Sequence, residues 1–139
     1  MSRHLAREVA FKTLFQMDFG KNGLEPALTD LLAESGLGAE YAHFARELAE
    51  GTEANLPVID RILSRYLVNW EFSRLAAVDR NVLRLAAFEI LYREDIPDVV
   101  AIDEALDISK TYNCEESVAF LNGVLDRLSK EKQNHAPAL

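Results

Sequence analysis

Disulfide chemistry is closed to this 139-residue chain, which has a single cysteine, Cys114. A lone thiol has no internal partner, and its solitude agrees with a reducing compartment. There is no run of 18 apolar residues to cross a bilayer, and no charged start followed by a hydrophobic stretch and a cleavage site. The expectation is a cytoplasmic chain with no membrane contact. Repeats and low-complexity tracts are missing too. His4, His43 and His135 are scattered, none at a ligand spacing with a carboxylate or with Cys114, so no metal is expected. No glycine-rich loop leads into a helix as a phosphate cradle requires, and no serine or cysteine has a nucleophile context. Asp103, Glu104 and Asp107 cluster, but on an acidic helix such a group is ordinarily a solvated face. The chain reads as no enzyme and as needing no cofactor.

Positive charge is also scarce. A net charge of −8 argues against gripping nucleic acid by bulk electrostatics. Its distribution is uneven: +2 over residues 1–23, −7 over 24–60, +1 over 61–97 and −4 over 98–139. An anionic ligand therefore belongs near the first helix or the 61–97 region, with modest affinity from this chain alone.

What the chain does have is apolar helical pattern. Hydrophobic residues make up 49% of it, enough for one folded core without staples. Residues 77–93, AVDRNVLRLAAFEILYR, are apolar around almost the whole helical circumference, the pattern of a helix enclosed by neighbours. The spacing predicts an all-α fold of about seven helices around this post. Asp79, Arg80, Arg84 and Glu89 interrupt it, and they either fill gaps between neighbours or form a surface that a partner covers. Glu89 and Arg93 have the spacing of an i, i+4 pair.

Residues 3–19 form the first helix, capped by Ser2, with Ala6, Val9, Ala10, Thr13, Leu14 and Met17 on one stripe. Phe11, Phe15 and Phe19 form a second stripe flanked by His4 and Arg7. Either the helix is sandwiched and both faces are buried, or the aromatics serve as a stacking or contact surface. Lys21 to Gly23 turn the chain, a helix follows over 25–35, and another runs from Ala39 to about Gly51. A fourth, opened by Asn55 and Pro57, packs through Val58, Ile62, Leu63 and Leu67. Tyr41, Phe44 and Trp70 read as packing residues. The break at Asn69 to Phe72 divides a single domain, 1–139, into lobes of about 1–69 and 70–132. After Pro97, Asp98 caps a sixth helix packing through Ile102, Leu106 and Ser109. Asn113 with Glu116 suggests a capping box for the seventh, which buries Val118, Leu121, Leu125 and Leu128 and frays after about Lys132. Gly123 lies in its middle, where glycine costs about 1 kcal/mol against alanine. Close approach of another backbone, with Asn122 bonding to it, accounts for that better than ligand contact.

The order of AREVAFKTLF, VDRNVLRLAAFEILYR, IDEALDISK after Pro97, and FLNGVLD resembles the NusB family of bacterial transcription antitermination factors. The resemblance runs over nearly the whole chain, and 24–60 matches only in helical pattern. It implies two small helical subdomains that bind boxA-type RNA together with NusE, a ribosomal protein of the small subunit. The setting is an elongation complex of RNA polymerase and other Nus factors on ribosomal RNA operons. No methyltransferase domain accompanies this one, so the expectation is the stand-alone factor. On the resemblance, Arg3, His4 and Arg7 stand at the arginine-rich start and Phe120 at an RNA-facing aromatic position. Glu116 stands at an acidic position near the RNA, while Phe15 and Asp79 face the ribosomal partner. Arg80 and Arg84 join the RNA contacts as phosphate ligands, and Phe11 joins the partner face. Fewer basic residues at the start, and Ala119 where a lysine is frequent, lower the positive charge. The competing reading is a helical protein-interaction module or homodimer without RNA, with Phe11, Phe15 and Phe19 as its interface.

Overall fold

The amphipathic and all-apolar segments fold as their spacing dictates. In the computed structural model, residues 2–20, 22–68 and 70–134 are described, apart from the side chains of Ser2 and Asn134. The expected cap at Ser2, and Lys21, Asn69 and His135, lie outside that set. Among the described residues there are seven α-helices, one 3-10 turn and no strand.

The chain divides into two compact units, residues 1–54 and 55–139. In the first, α1 (Ser2–Asp18) packs on α2 (Leu24–Ser35) and α3 (Ala39–Ala54). Its apolar stripe is buried at Ala6, Val9, Ala10 and Leu14, and Thr13, also buried, returns its hydroxyl to the Val9 carbonyl at 2.8 Å. Gly36 ends α2 at φ 74°, a left-handed conformation that glycine adopts without a Cβ penalty.

The second unit holds α4 (Leu56–Ser64), the 3-10 turn Phe72–Arg74, α5 (Ala77–Tyr92), α6 (Asp98–Tyr112) and α7 (Glu115–Asn134). α5 is the post that its composition suggests. It packs against α4, α6 and α7, and Val82, Leu83, Leu85, Ala86, Ala87, Phe88 and Ile90 are all buried. α4 therefore groups with α5, and the division falls at Ala54, ahead of the sequence break at 69–72.

Several local expectations are corrected. On α6 the buried positions are Ala101, Ala105, Ile108 and Ser109, while Ile102 and Leu106 are only half-buried. Asp98 caps nothing: its carboxylate accepts from Ser129 Oγ and Lys132 Nζ, both at 2.7 Å, and so ties α6 to α7. Lys132 also donates to the Ile90 carbonyl at 2.8 Å near the end of α7 at Asn134, and the expected fraying beyond it falls outside the described residues. Apart from these corrections, Arg93 binds Asp95 through two bonds of 2.9 Å, and Glu89, one turn before it on α5, is almost fully buried. Gly123 is exposed, and a Cβ built there meets nothing within 4 Å, so no neighbouring backbone explains it.

Two substitutions separate these cases. Leu83→Ala, at a fully buried position, is expected to cost about 2–5 kcal/mol in denaturant unfolding. Gly123→Ala is expected to stabilise the protein by roughly 0.5–1 kcal/mol, and a loss of stability would overturn the unobstructed setting of this glycine.

Candidate nucleic-acid interface

Between α4 and α5 the chain crosses residues 65–76, and arginines fix this strap. Arg84 on α5 donates through Nε and Nη2 to both carboxylate oxygens of Asp60 on α4, each at 2.9 Å. Its Nη1 reaches Asn81 Oδ1 at 3.2 Å, and its guanidinium lies 5.3 Å from the centroid of the Phe72 ring. Arg80, one turn earlier, donates to the carbonyls of Leu75 at 2.7 Å and Ser73 at 3.3 Å. Upstream, Tyr66 is buried and its carbonyl accepts from Arg127 Nη2 on α7 at 2.9 Å. The strap holds Trp70 in the open, 59% exposed, with Arg74 exposed on the same segment.

The facing wall is the start of α7. Asn113 does not cap this helix, because its Nδ2 donates to Asp79 Oδ1 at 2.6 Å and links the α6–α7 turn to α5. The cap is Cys114. The backbone N–H of Ser117, its hydroxyl and the N–H of Glu116 hold the Cys114 thiol below its ordinary value by favouring the thiolate, as a helix N-terminus does. Phe120 follows one turn later, half-buried.

Strap, α5 and α7 enclose a cleft of about 380 Å³. Trp70, Arg74 and Leu75 line it from the strap, Asp79 from α5, and Glu116 and Phe120 from α7. The volume falls within the roughly 300–1,000 Å³ range of small-molecule clefts. Two aromatics with a cation at the rim suit an unstacked base and its phosphate. Burial pushes the Asp79 carboxyl up from its ordinary value, and the Asn113 hydrogen bond only partly opposes that.

The structure brings Asp79, Glu116 and Phe120 together at this cleft. Arg84 is not offered to a phosphate, since its side chain is 13% exposed and committed to Asp60. Arg80 is half-buried and braces the strap. The remaining expected residues lie on α1. Arg3 is exposed, with its guanidinium 4.2 Å from the Phe44 ring centroid, and His4 Nε2 lies 3.2 Å from Glu8. Arg7 is 3% exposed and stacks on the same Phe44 ring at 5.3 Å, so it presents no surface. Phe11, 2% exposed, is likewise core. Phe15 is half-buried and meets the exposed Phe19 edge to face, with centroids 5.0 Å apart. The aromatic stripe thus runs from core at Phe11 to surface at Phe19.

Trp70 and Arg74 are the cleft-lining residues that a packing reading of the sequence passes over. The available signal is an aromatic placed where helical periodicity stops, with no stripe to bury it and an arginine four residues on.

The raised Asp79 proton affinity gives a signed pH effect. A carboxyl whose folded value lies above its unfolded one supports folding below the ordinary carboxylate value of 3.8, and that support is lost as pH rises through the folded value. Asp79→Asn, which keeps a hydrogen-bond acceptor for Asn113, is expected to gain stability relative to the parent across that window. Unfolding curves collected from acid to neutral pH check this, and parallel profiles for the two proteins would refute the raised value.

Comparison with known proteins agrees with this architecture. The family model described as "NusB family" matches residues 4–130. The chain is 47% identical to the transcription antitermination protein NusB of Thermotoga sp. (strain RQ2), over 97% of this chain and 93% of that protein. It is 42% identical to the NusB of Desulforamulus reducens, over 100% and 97%. Among solved structures, T. maritima NusB superposes with a TM-score of 0.88 at 45% identity, covering 97% of this chain and 93% of that one. A crystal structure of antitermination factors NusB and NusE in complex with dsRNA gives 0.87 at 25% identity, covering 94% and 97%. With the match running over nearly the full length in both sequence and fold, the chain belongs to the NusB family.

Proposed function

We propose that this protein is a transcription antitermination factor that binds boxA-type RNA at the Trp70–Phe120 cleft and acts together with a NusE-type ribosomal protein. The observation that carries this reading is the cleft itself, where two accessible aromatics and Arg74 are held on a braced scaffold. The relative solved with NusE and dsRNA supports the same partners. Trp70 and Phe120 supply stacking. Arg74, with Arg3 on α1, supplies phosphate contacts. Glu116 lies at the cleft rim. Gly123, one turn beyond Phe120 with open space above it, lets a strand come close to the helix backbone. Phe15 and Phe19 form the protein-facing surface. In this reading the pair joins other Nus factors and RNA polymerase in an elongation complex, and the role is binding, without catalysis, in the cytoplasm.

The exposed Phe19 beside Phe15 supports a second reading, self-association through α1. Light scattering of the free protein and of Phe15→Asp separates a homodimer from a monomer that awaits its partner.

Trp70→Ala and Phe120→Ala are each expected to weaken RNA binding by about 1–3 kcal/mol, the worth of one stacked base. Arg74→Ala is expected to weaken it evenly across sequences and to lower the salt slope by about 1. Fluorescence anisotropy with labelled boxA-type RNA, with and without the ribosomal partner, measures all three. Unchanged affinity in the three variants, or no gain from the partner, would sink this function.

A further inference from the structure

An RNA cleft lined by two carboxylates poses a problem that phosphate binding does not solve. Asp79 and Glu116 repel phosphate, yet both line the same cleft as the aromatics. A carboxylate beside a stacked base can instead accept a hydrogen bond from that base's edge. Asp79 is built for this. Asn113 Nδ2 holds one of its oxygens at 2.6 Å and so restrains the orientation of the group. The other oxygen has no protein partner among the described residues and is not sealed from the cleft. With the residue only 9% exposed, most of its desolvation is already met by folding, so a base donor finds a pre-oriented acceptor.

We propose that the cleft takes a single unstacked base between Trp70 and Phe120 and that the free oxygen of Asp79 reads it, admitting bases that carry an exocyclic amine and refusing uracil. The proposal rests on the RNA-binding function above. Cytosine and uracil share size and stacking area and differ on this edge. The cytosine N4 amine donates to Asp79, whereas the uracil O4 sets a lone pair against the carboxylate oxygen and leaves it without a donor. Asp79 is thereby a specificity-determining residue on the RNA side, whatever contact the ribosomal partner makes elsewhere.

The chain has one tryptophan, so Trp70 emission reports the cleft alone. Oligocytidine and oligouridine hexamers, fluorescently labelled, are titrated into the full chain alone and with its ribosomal partner. Anisotropy follows overall binding. For the free chain, unlabelled hexamers follow Trp70 quenching. The expected result is quenching by oligocytidine with about tenfold preference over oligouridine, a preference that Asp79→Asn abolishes while binding persists. Binding by anisotropy without Trp70 quenching overturns the cleft as the base site. Equal binding of the two oligomers, or a preference that survives in Asp79→Asn, overturns the reading by Asp79. No anisotropy change with either oligomer, with or without the partner, overturns the RNA-binding function and this inference with it. Circular dichroism and a cooperative unfolding transition whose midpoint at neutral pH is no lower than the parent's establish that Asp79→Asn is folded.

Discussion

The second unit depends on one guanidinium. Arg84 binds both oxygens of Asp60, so α4 cannot slide along α5 without breaking two short bonds in a partly desolvated place. The same group meets the Phe72 ring, and Arg80 takes the next carbonyls, so strap and helix pair are fixed by neighbouring arginines on one helix face. Charges that look like a ligand-binding row in the sequence act inward. They satisfy strap carbonyls and a partly buried carboxylate beside α5, groups that are costly to leave unpaired where water is partly excluded.

Electrostatics then separates tasks by distance from the backbone. The chain is acidic overall, and its strongest negative charge lies over residues 24–60, in α2, α3 and the start of α4. A protein of this charge cannot hold RNA through a broad basic field. Under the proposed function, recognition rests on a few short-range contacts, and a second protein with its own cations has a clear physical place beside it. The depressed Cys114 thiol and the elevated Asp79 carboxyl, both at the cleft, show how finely its polarity varies: one is set by helix N–H groups and the other by burial.

Periodicity made the fold legible. The apolar stripes of α1, α5 and α7 announce their buried faces, and the all-round pattern of α5 correctly implies neighbours on several sides. Where prediction slipped, tertiary contacts outranked local rules. Asn113 and Asp98 are good capping residues by type, but each finds a stronger partner across the unit, and a cysteine inherits the cap. The candidate cleft was half legible. Phe120 and Glu116 came from motif resemblance and stand at the cleft, whereas Arg84, Arg7 and Phe11 are spent on packing. Trp70 was hidden because composition equates tryptophan with core, and nothing short of coordinates shows that the strap turns it outward.

The strap is tied at both ends: Arg127 holds the Tyr66 carbonyl and Arg80 the carbonyl of Leu75. Both ends are thereby held, one on α7 and one on α5. An exposed tryptophan on a free loop would surrender several backbone rotations when a ligand arrives, at roughly 1–2 kcal/mol for each residue ordered. Here the two held carbonyls meet part of that loss during folding. Changes in the α7 residue Arg127, which does not line the cleft, would therefore reach a ligand there as a change in entropy.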